Sequence, residues 1–229
     1  MAPSPRHCRR IPGLFAFMLL LFCPAYPAGQ RAYEDEITAL ADGRNYEEAL
    51  RVLDAWKTER GEDDAQYWVA GANIWYRIAV TPSLSITPVA PGKYSIRPTE
   101  EEIMLTDPAT GRDVGKITEG PPKVDPENMK RAIVYLDEGL RRHPHRMDIY
   151  TGRAHLYRTL GDLEGEIAAL TSLARDPRPL DGHFETGPGQ VLEEDLAAYQ
   201  LDMLMNYARE HLQKQNPTNE AAAKAVAEL

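Results

Sequence analysis

The 229-residue chain carries 26 lysines and arginines against 35 aspartates and glutamates, a net charge of −9, and has only two cysteines. That acidic balance makes nucleic acid and anionic membrane surfaces poor partners, because both are held mainly by lysine and arginine. Two cysteines, Cys8 and Cys23, are too few for a disulfide framework or a cysteine-built metal cluster.

Residues 1–28 read as a secretory signal. Arg6, Arg9 and Arg10 form a positive start, "IPGLFAFMLLLF" a short apolar run, and Ala25 and Ala28 the small residues of a cleavage site. The run is shorter than the ~20 residues of a spanning helix, and no second apolar stretch follows that could span a bilayer. Phe22 disfavours lipid attachment at Cys23, since lipoprotein signals usually carry a small residue there. Cleavage would remove both cysteines and three arginines, taking the net charge from −9 to −12. The expected product is an exported, soluble chain, periplasmic or secreted, whose domain spans residues 29–229.

Two helical runs occupy residues 33–61, broken at 42–45. Ala49, Leu50, Leu53 and Trp56 share one face of the second, and Gly61 ends it. A third run, residues 63–80, is apolar on two faces, one with Tyr67, Ala70, Gly71, Ile74 and Ile78, the other with Trp68, Ala72, Trp75 and Tyr76. Such a helix is packed on both sides or lines a groove. Residues 80–125 then carry seven prolines, which exclude a long helix. Inside them "KYSIR", "EIMLT" and "DVGKI" have strand character, and "DPATG" joins the last two through Gly111. The spacing predicts an inserted β-hairpin, or three strands, over 80–125. Helices resume at Pro126 and close at Pro144. A pair follows over 146–177 with its turn at 161–162, then a long amphipathic helix over 190–215 and a short last helix over 216–229.

Internal repetition is visible in these helices. "AIVYLDEGLRRHP" at 132–144 aligns with "EIAALTSLARDP" at 166–177, setting Leu136 against Leu170 and Pro144 against Pro177. "YEEALRVLDAW" has the same form, and Gly71 and Gly152 stand where paired helices approach closely. This pattern resembles the tetratricopeptide repeat family, whose helix pairs of about 34 residues stack into a superhelix. Asp148 and His155 depart from it, standing where a large aromatic is usual, as does Glu166, where a small residue is usual. The resemblance implies an all-α fold: a helical-hairpin solenoid of about three helix pairs with C-terminal capping helices and one inserted β-hairpin. It also implies a concave groove lined by the first helix of each pair. Carried onto this sequence, the groove candidates are Trp68, Trp75, Tyr76, Arg146, Arg153 and Tyr157, residue types frequent at binding hot spots. Trp68 and Trp75 could instead pack beneath the hairpin, where Tyr94, Ile96, Ile103, Leu105 and Ile117 need apolar cover.

No motif for hydrolysis, nucleotide binding or a metalloprotease occurs in the sequence. His143 reads as a residue placed favourably near a helix C-terminus and His145 and His155 as surface residues, Asp107, Thr110 and Asp113 fail the calcium-loop pattern, and the acids at 100–102 and 193–195 read as solvated or helix-starting. No enzyme, cofactor or metal is therefore expected. Residues 31–66 hold five basic and eleven acidic side chains, whereas 130–158 hold seven basic and three acidic. The basic stretch either meets an acidic partner or balances the acidic first repeat. The expected function is an exported interaction module or scaffold that takes a protein or peptide partner, through the groove or through hairpin residues Ile103, Leu105, Asp107, Gly111 and Ile117. The alternative is an envelope protein binding a small ligand or polymer in the Trp/Tyr/Arg groove.

Overall fold

The computed structural model describes residues 28–87, 95–98 and 103–213. Residues 1–27, with Cys8 and Cys23, lie outside that description, as do Tyr94, residues 100–102 and the helix expected after 216. The elements in order are α1 (Ala28–Asp42), α2 (Tyr46–Arg60), α3 (Ala65–Ala79), β1 (Val80–Thr87), β2 (Ser95–Pro98), β3 (Ile103–Thr106), β4 (Asp113–Val124), α4 (Pro126–Arg142), α5 (Met147–Leu160), α6 (Leu163–Arg175), β5 (Glu185–Gly187), β6 (Gln190–Val191) and α7 (Leu196–Gln213).

The expected all-α solenoid with a small hairpin is incorrect. Among the described residues, seven helices are accompanied by a four-stranded antiparallel sheet of order β1-β4-β3-β2, so the fold is mixed α/β. The strand that sequence reading passed over is β1. Its "VTPSLSIT" alternates apolar with small hydroxyl residues, the period of a half-buried strand. Strand β4 likewise runs past 117 through Pro121 and Pro122. Prolines are tolerated there because β3 pairs only with residues 113–117, so that end of β4 has an open side where no amide is required. Pro82 sits at the register shift between Thr81 and Ser83, again on an edge strand.

The sheet segment lies between α3 and α4 without separating them. Val80 pairs with Val124, and the Asp125 amide donates to the Ala79 carbonyl at 2.8 Å, so the two helix ends are pinned side by side. Asp125 also caps α4, accepting from the Glu127 amide at 2.9 Å, with Pro126 in the first turn. The helices pack as α1 on α2, α3 on α4 and α5 on α6, with α7 against the last pair. Gly71 makes the α3–α4 approach possible, since a Cβ there would overlap the Tyr135 ring. The core is continuous, from Leu53, Trp56 and Ile74, through Met129, Ala132 and Ile149, to Met147, Leu170 and Leu173. In the first part Tyr33 stacks on Trp56 at 5.6 Å, and Tyr67 meets Trp68 edge-on at 4.9 Å.

Candidate functional site

The proposed groove residues divide into two that are buried, Trp68 and Arg146, and four that are half-buried, Trp75, Tyr76, Arg153 and Tyr157. Trp68 is buried against Tyr67, Tyr135 and Gly139, and its indole N–H donates to the Glu62 carbonyl at 2.9 Å. Its place in a groove is corrected: it is a core residue. Arg146 is buried too, with its guanidinium on Asp148 and Gln66 at 2.7 Å each, and it has no groove surface to offer. Trp75 is half-buried under Arg131 of α4, whose guanidinium lies 4.6 Å from the ring centre. Tyr76 faces His155 at 6.0 Å. Arg153 pairs with Asp137 at 2.6 Å and lies over Tyr157, which itself fits against Gly165.

The basic stretch resolves in the same way. Besides Arg131, Arg146 and Arg153, Lys130 pairs with Glu127, Arg141 with Glu138, Arg142 with Glu62, and Arg158 with Glu166. All seven cations of 130–158 have partners inside the chain: Lys130 and Arg141 pair within α4, and Arg142 reaches the acidic 31–66 stretch at Glu62. The exposed pairs contribute little, typically below ~1 kcal/mol each.

What remains unpartnered is the sheet. Directly opposed residues of an antiparallel sheet share a face. Ile86 opposes Ile117, Ile117 opposes Ile103, and Ile103 opposes Pro98, giving one apolar row across all four strands. On the same face, two residues to one side of that row Leu84 opposes Glu119 at the margin, and two residues to the other side Gly115 of β4 opposes Leu105, which opposes Ile96. The opposite face carries Ser85, Thr118, Lys116, Met104, Thr106 and Ser95. The apolar face is not laid on the helices: Leu84 is 71% exposed, Ile96 67%, Ile86 59% and Ile103 40%. Of the hairpin residues that the sequence set over Trp68 and Trp75, Ile96 and Ile103 are exposed, and Tyr94 lies outside the described residues. Leu105 is buried and Ile117 half-buried, so the face has a packed centre and an open surround. Asp107 and Gly111 shape its tip. The Asp107 carboxylate accepts from the Ala109 amide and the Thr110 hydroxyl at 2.8 Å each, and Gly111 takes a φ of 67°. Those hydrogen bonds hold the Asp107 carboxyl below the ordinary carboxylate range.

No protein family, curated protein or solved structure matches this chain. Among the described residues no helix is long and apolar enough to cross a membrane, and no group of three or more His, Cys, Asp or Glu is placed to hold a metal ion.

Sequence reading missed Leu84 and Ile86, whose signal was the alternation in 80–87. It also missed two internal polar clusters. Gln66 joins Arg146 to Glu34 of α1, its amide donating to the Glu34 carboxylate at 2.9 Å, and burial raises the Glu34 pKa. Glu166 accepts from Arg158 at 2.7 and 2.9 Å, and His211 Nε2 lies 3.0 Å away on α7.

Burial lowers the pKa of His143, His145 and His155. His143 is further lowered by His145 and Arg146, His145 by Arg146 and His183, and His155 by Arg158, while nearby carboxylates oppose the shift at each. The unfolded chain then takes up protons near pH ~6.5 where the folded chain does not. Stability is therefore full above that pH and is lost as pH falls through the depressed folded values. Glu34 and Asp137, raised by burial, act in the opposite sense, their effect setting in as pH rises through the ordinary carboxylate range. The urea midpoint is expected to fall between pH 7 and 5, and less steeply in His155→Phe. A flat midpoint over that interval would refute the assignment.

Proposed function

We propose that this chain is an exported protein-interaction module that holds a protein partner on the apolar face of its sheet, with tetratricopeptide-type helix pairs as the rigid support. The observation that carries the reading is the open apolar face of Leu84, Ile86, Ile96 and Ile103. Contiguous apolar surface of this kind is uncommon on a protein that acts alone and marks docking sites. Support for the helix pairs comes from the pairwise packing and the close approach at Gly71. Support for export comes from the arginine, apolar and small-residue order of the first 28 residues. The Trp/Tyr/Arg set favours the small-ligand alternative less, because Trp68 and Arg146 are buried and Arg153 pairs with Asp137 within the chain.

The test is photo-crosslinking in the exporting cell, with a crosslinkable residue at Ile86 or Ile96 and a control at Glu47 on the exposed side of α2. Discrete protein adducts are expected from the sheet positions and not from Glu47. Equal labelling at all three, or none, would count against the reading.

A further inference from the structure

We infer that the occupant of the apolar sheet face is a second copy of this chain, with the two sheets packed face to face about a two-fold axis. The inference rests on the interaction reading above and names its partner. A twisted sheet with one apolar face is stable as one layer of two, the second sheet lying ~10 Å away with interdigitated side chains. The chain supplies one such layer. Its only other sheet among the described residues is the two-stranded β5–β6, which belongs to the α5 side of the molecule. The helical body leaves Leu84, Ile86 and Ile96 open, while Leu105 near the centre of the face is already buried within the chain.

Charge favours a copy of the same surface. The whole chain has a net charge of −9, yet residues 80–124 hold five basic and six acidic residues, a net of −1. Two acidic molecules can therefore meet through their sheets while their acidic helices stay apart. On the face itself the one charged side chain among the described residues is Glu119, at its margin opposite Leu84. A surface without central charge has little with which to select an unlike partner, and high apolar content is the mark of homodimer interfaces. An isologous contact needs only that a patch complement itself. The row Ile86–Ile117–Ile103, flanked by Leu84 on one side and by Leu105 and Ile96 on the other, is of near-uniform side-chain size and suits interdigitation with its own image.

Sedimentation velocity and light scattering on the purified exported chain, from nanomolar to high micromolar concentration, test the inference. The wild type is expected to dimerise. Leu84→Glu and Ile86→Glu are each expected to weaken association by roughly 100-fold or more, since each places a charge in the contact. Ser85→Glu, on the opposite face, is expected to leave the dimer intact. Circular dichroism checks that each variant stays folded. Should a Glu variant unfold, photo-crosslinking from Ile96 in a mixture of tagged and untagged wild-type copies gives the same answer through tagged–untagged adducts. A wild type that stays monomeric throughout overturns the inference, as does a dimer unaffected by both Glu substitutions. If the wild type is monomeric while Ile86 still crosslinks to an unlike protein, the interaction reading stands and only the second-copy assignment falls. If neither dimer nor adduct forms at the sheet, both fall.

Discussion

Arg146→Met is expected to remove about 3–5 kcal/mol of stability, the usual effect of breaking a buried ion pair from one side. In a chain of this size that corresponds to a melting temperature lower by on the order of 10 °C. The guanidinium is buried at the entry to α5, between three helices. Its Nε and one Nη donate to the two Asp148 carboxylate oxygens at 2.9 and 2.7 Å, and the same Nη donates to Gln66 Oε1 at 2.7 Å. Gln66 passes the connection to Glu34, and Glu185 of β5 stands 3.9 Å from Nε. A methionine fills the volume of the stem but leaves the Asp148 carboxylate and the Gln66 carbonyl without their donor. The loss is expected to come from those orphaned acceptors, so Arg146→Met combined with Gln66→Leu should cost less than the sum of the two. Arg146→Lys should recover less than half, because an ammonium cannot match the paired carboxylate geometry. Urea unfolding followed by circular dichroism measures all of these. A loss below ~1 kcal/mol for Arg146→Met would show the pair to be neutral to the fold, as some buried pairs are.

The same residue shows where sequence was legible. The helices could be read because their signals are local: Gly61 and Gly161 at C-termini, Asp125 with Pro126 at an N-terminus, apolar residues at helical spacing. Strand β2 was legible in "KYSIR", and β3 and the start of β4 in the apolar runs on either side of the Asp107–Gly111 turn. Strand β1 was not, because Pro82 and Pro88 in its neighbourhood outweighed the alternation of Leu84 and Ile86, and an edge strand is where proline is least informative. Missing β1 turned a four-stranded sheet into a hairpin and the fold class into all-α. The binding candidates went astray for a different reason. Trp68 and Arg146 were chosen by type, and type does not separate an anchor awaiting a partner from one already satisfied inside. That depends on what stands 80 residues away, as with Gln66 and Arg146 or Glu62 and Arg142. The sheet face could have been found from sequence only with the strand register in hand, since Leu84, Ile96 and Ile103 share a face through pairing and not through spacing.

Glu166→Ala is expected to destabilise the chain by about 3–5 kcal/mol and to loosen α7 selectively. The repeat pattern invites the opposite expectation, because a small residue is usual at this position. Gly165 takes the close approach, where a Cβ would overlap the Tyr157 ring, and Glu166 turns into the junction of α5, α6 and α7. There one carboxylate oxygen accepts both donors of Arg158 and lies 3.0 Å from His211. Arg158 in turn covers the Tyr207 ring at 3.8 Å and pairs with Glu210, and the Tyr207 hydroxyl donates to the Thr151 carbonyl at 3.0 Å. Burial raises the Tyr207 pKa, so its phenol remains a donor throughout the physiological range. Removing the carboxylate strands the Arg158 guanidinium against α7 with only Glu210 to balance it, and frees His211. Apolar contacts of Tyr199, Met203 and Tyr207 still hold the helix in place. Hydrogen exchange should therefore accelerate through 196–213 well before it does in α3 and α4. Glu166→Gln keeps an acceptor for Arg158 but not the charge, and should fall between wild type and alanine. Uniform acceleration across all helices would mean that Glu166 supports the core as a whole. Protection unchanged in α7 would mean that the apolar contacts suffice and that the Arg158–Glu166–His211 cluster contributes nothing to docking the last helix.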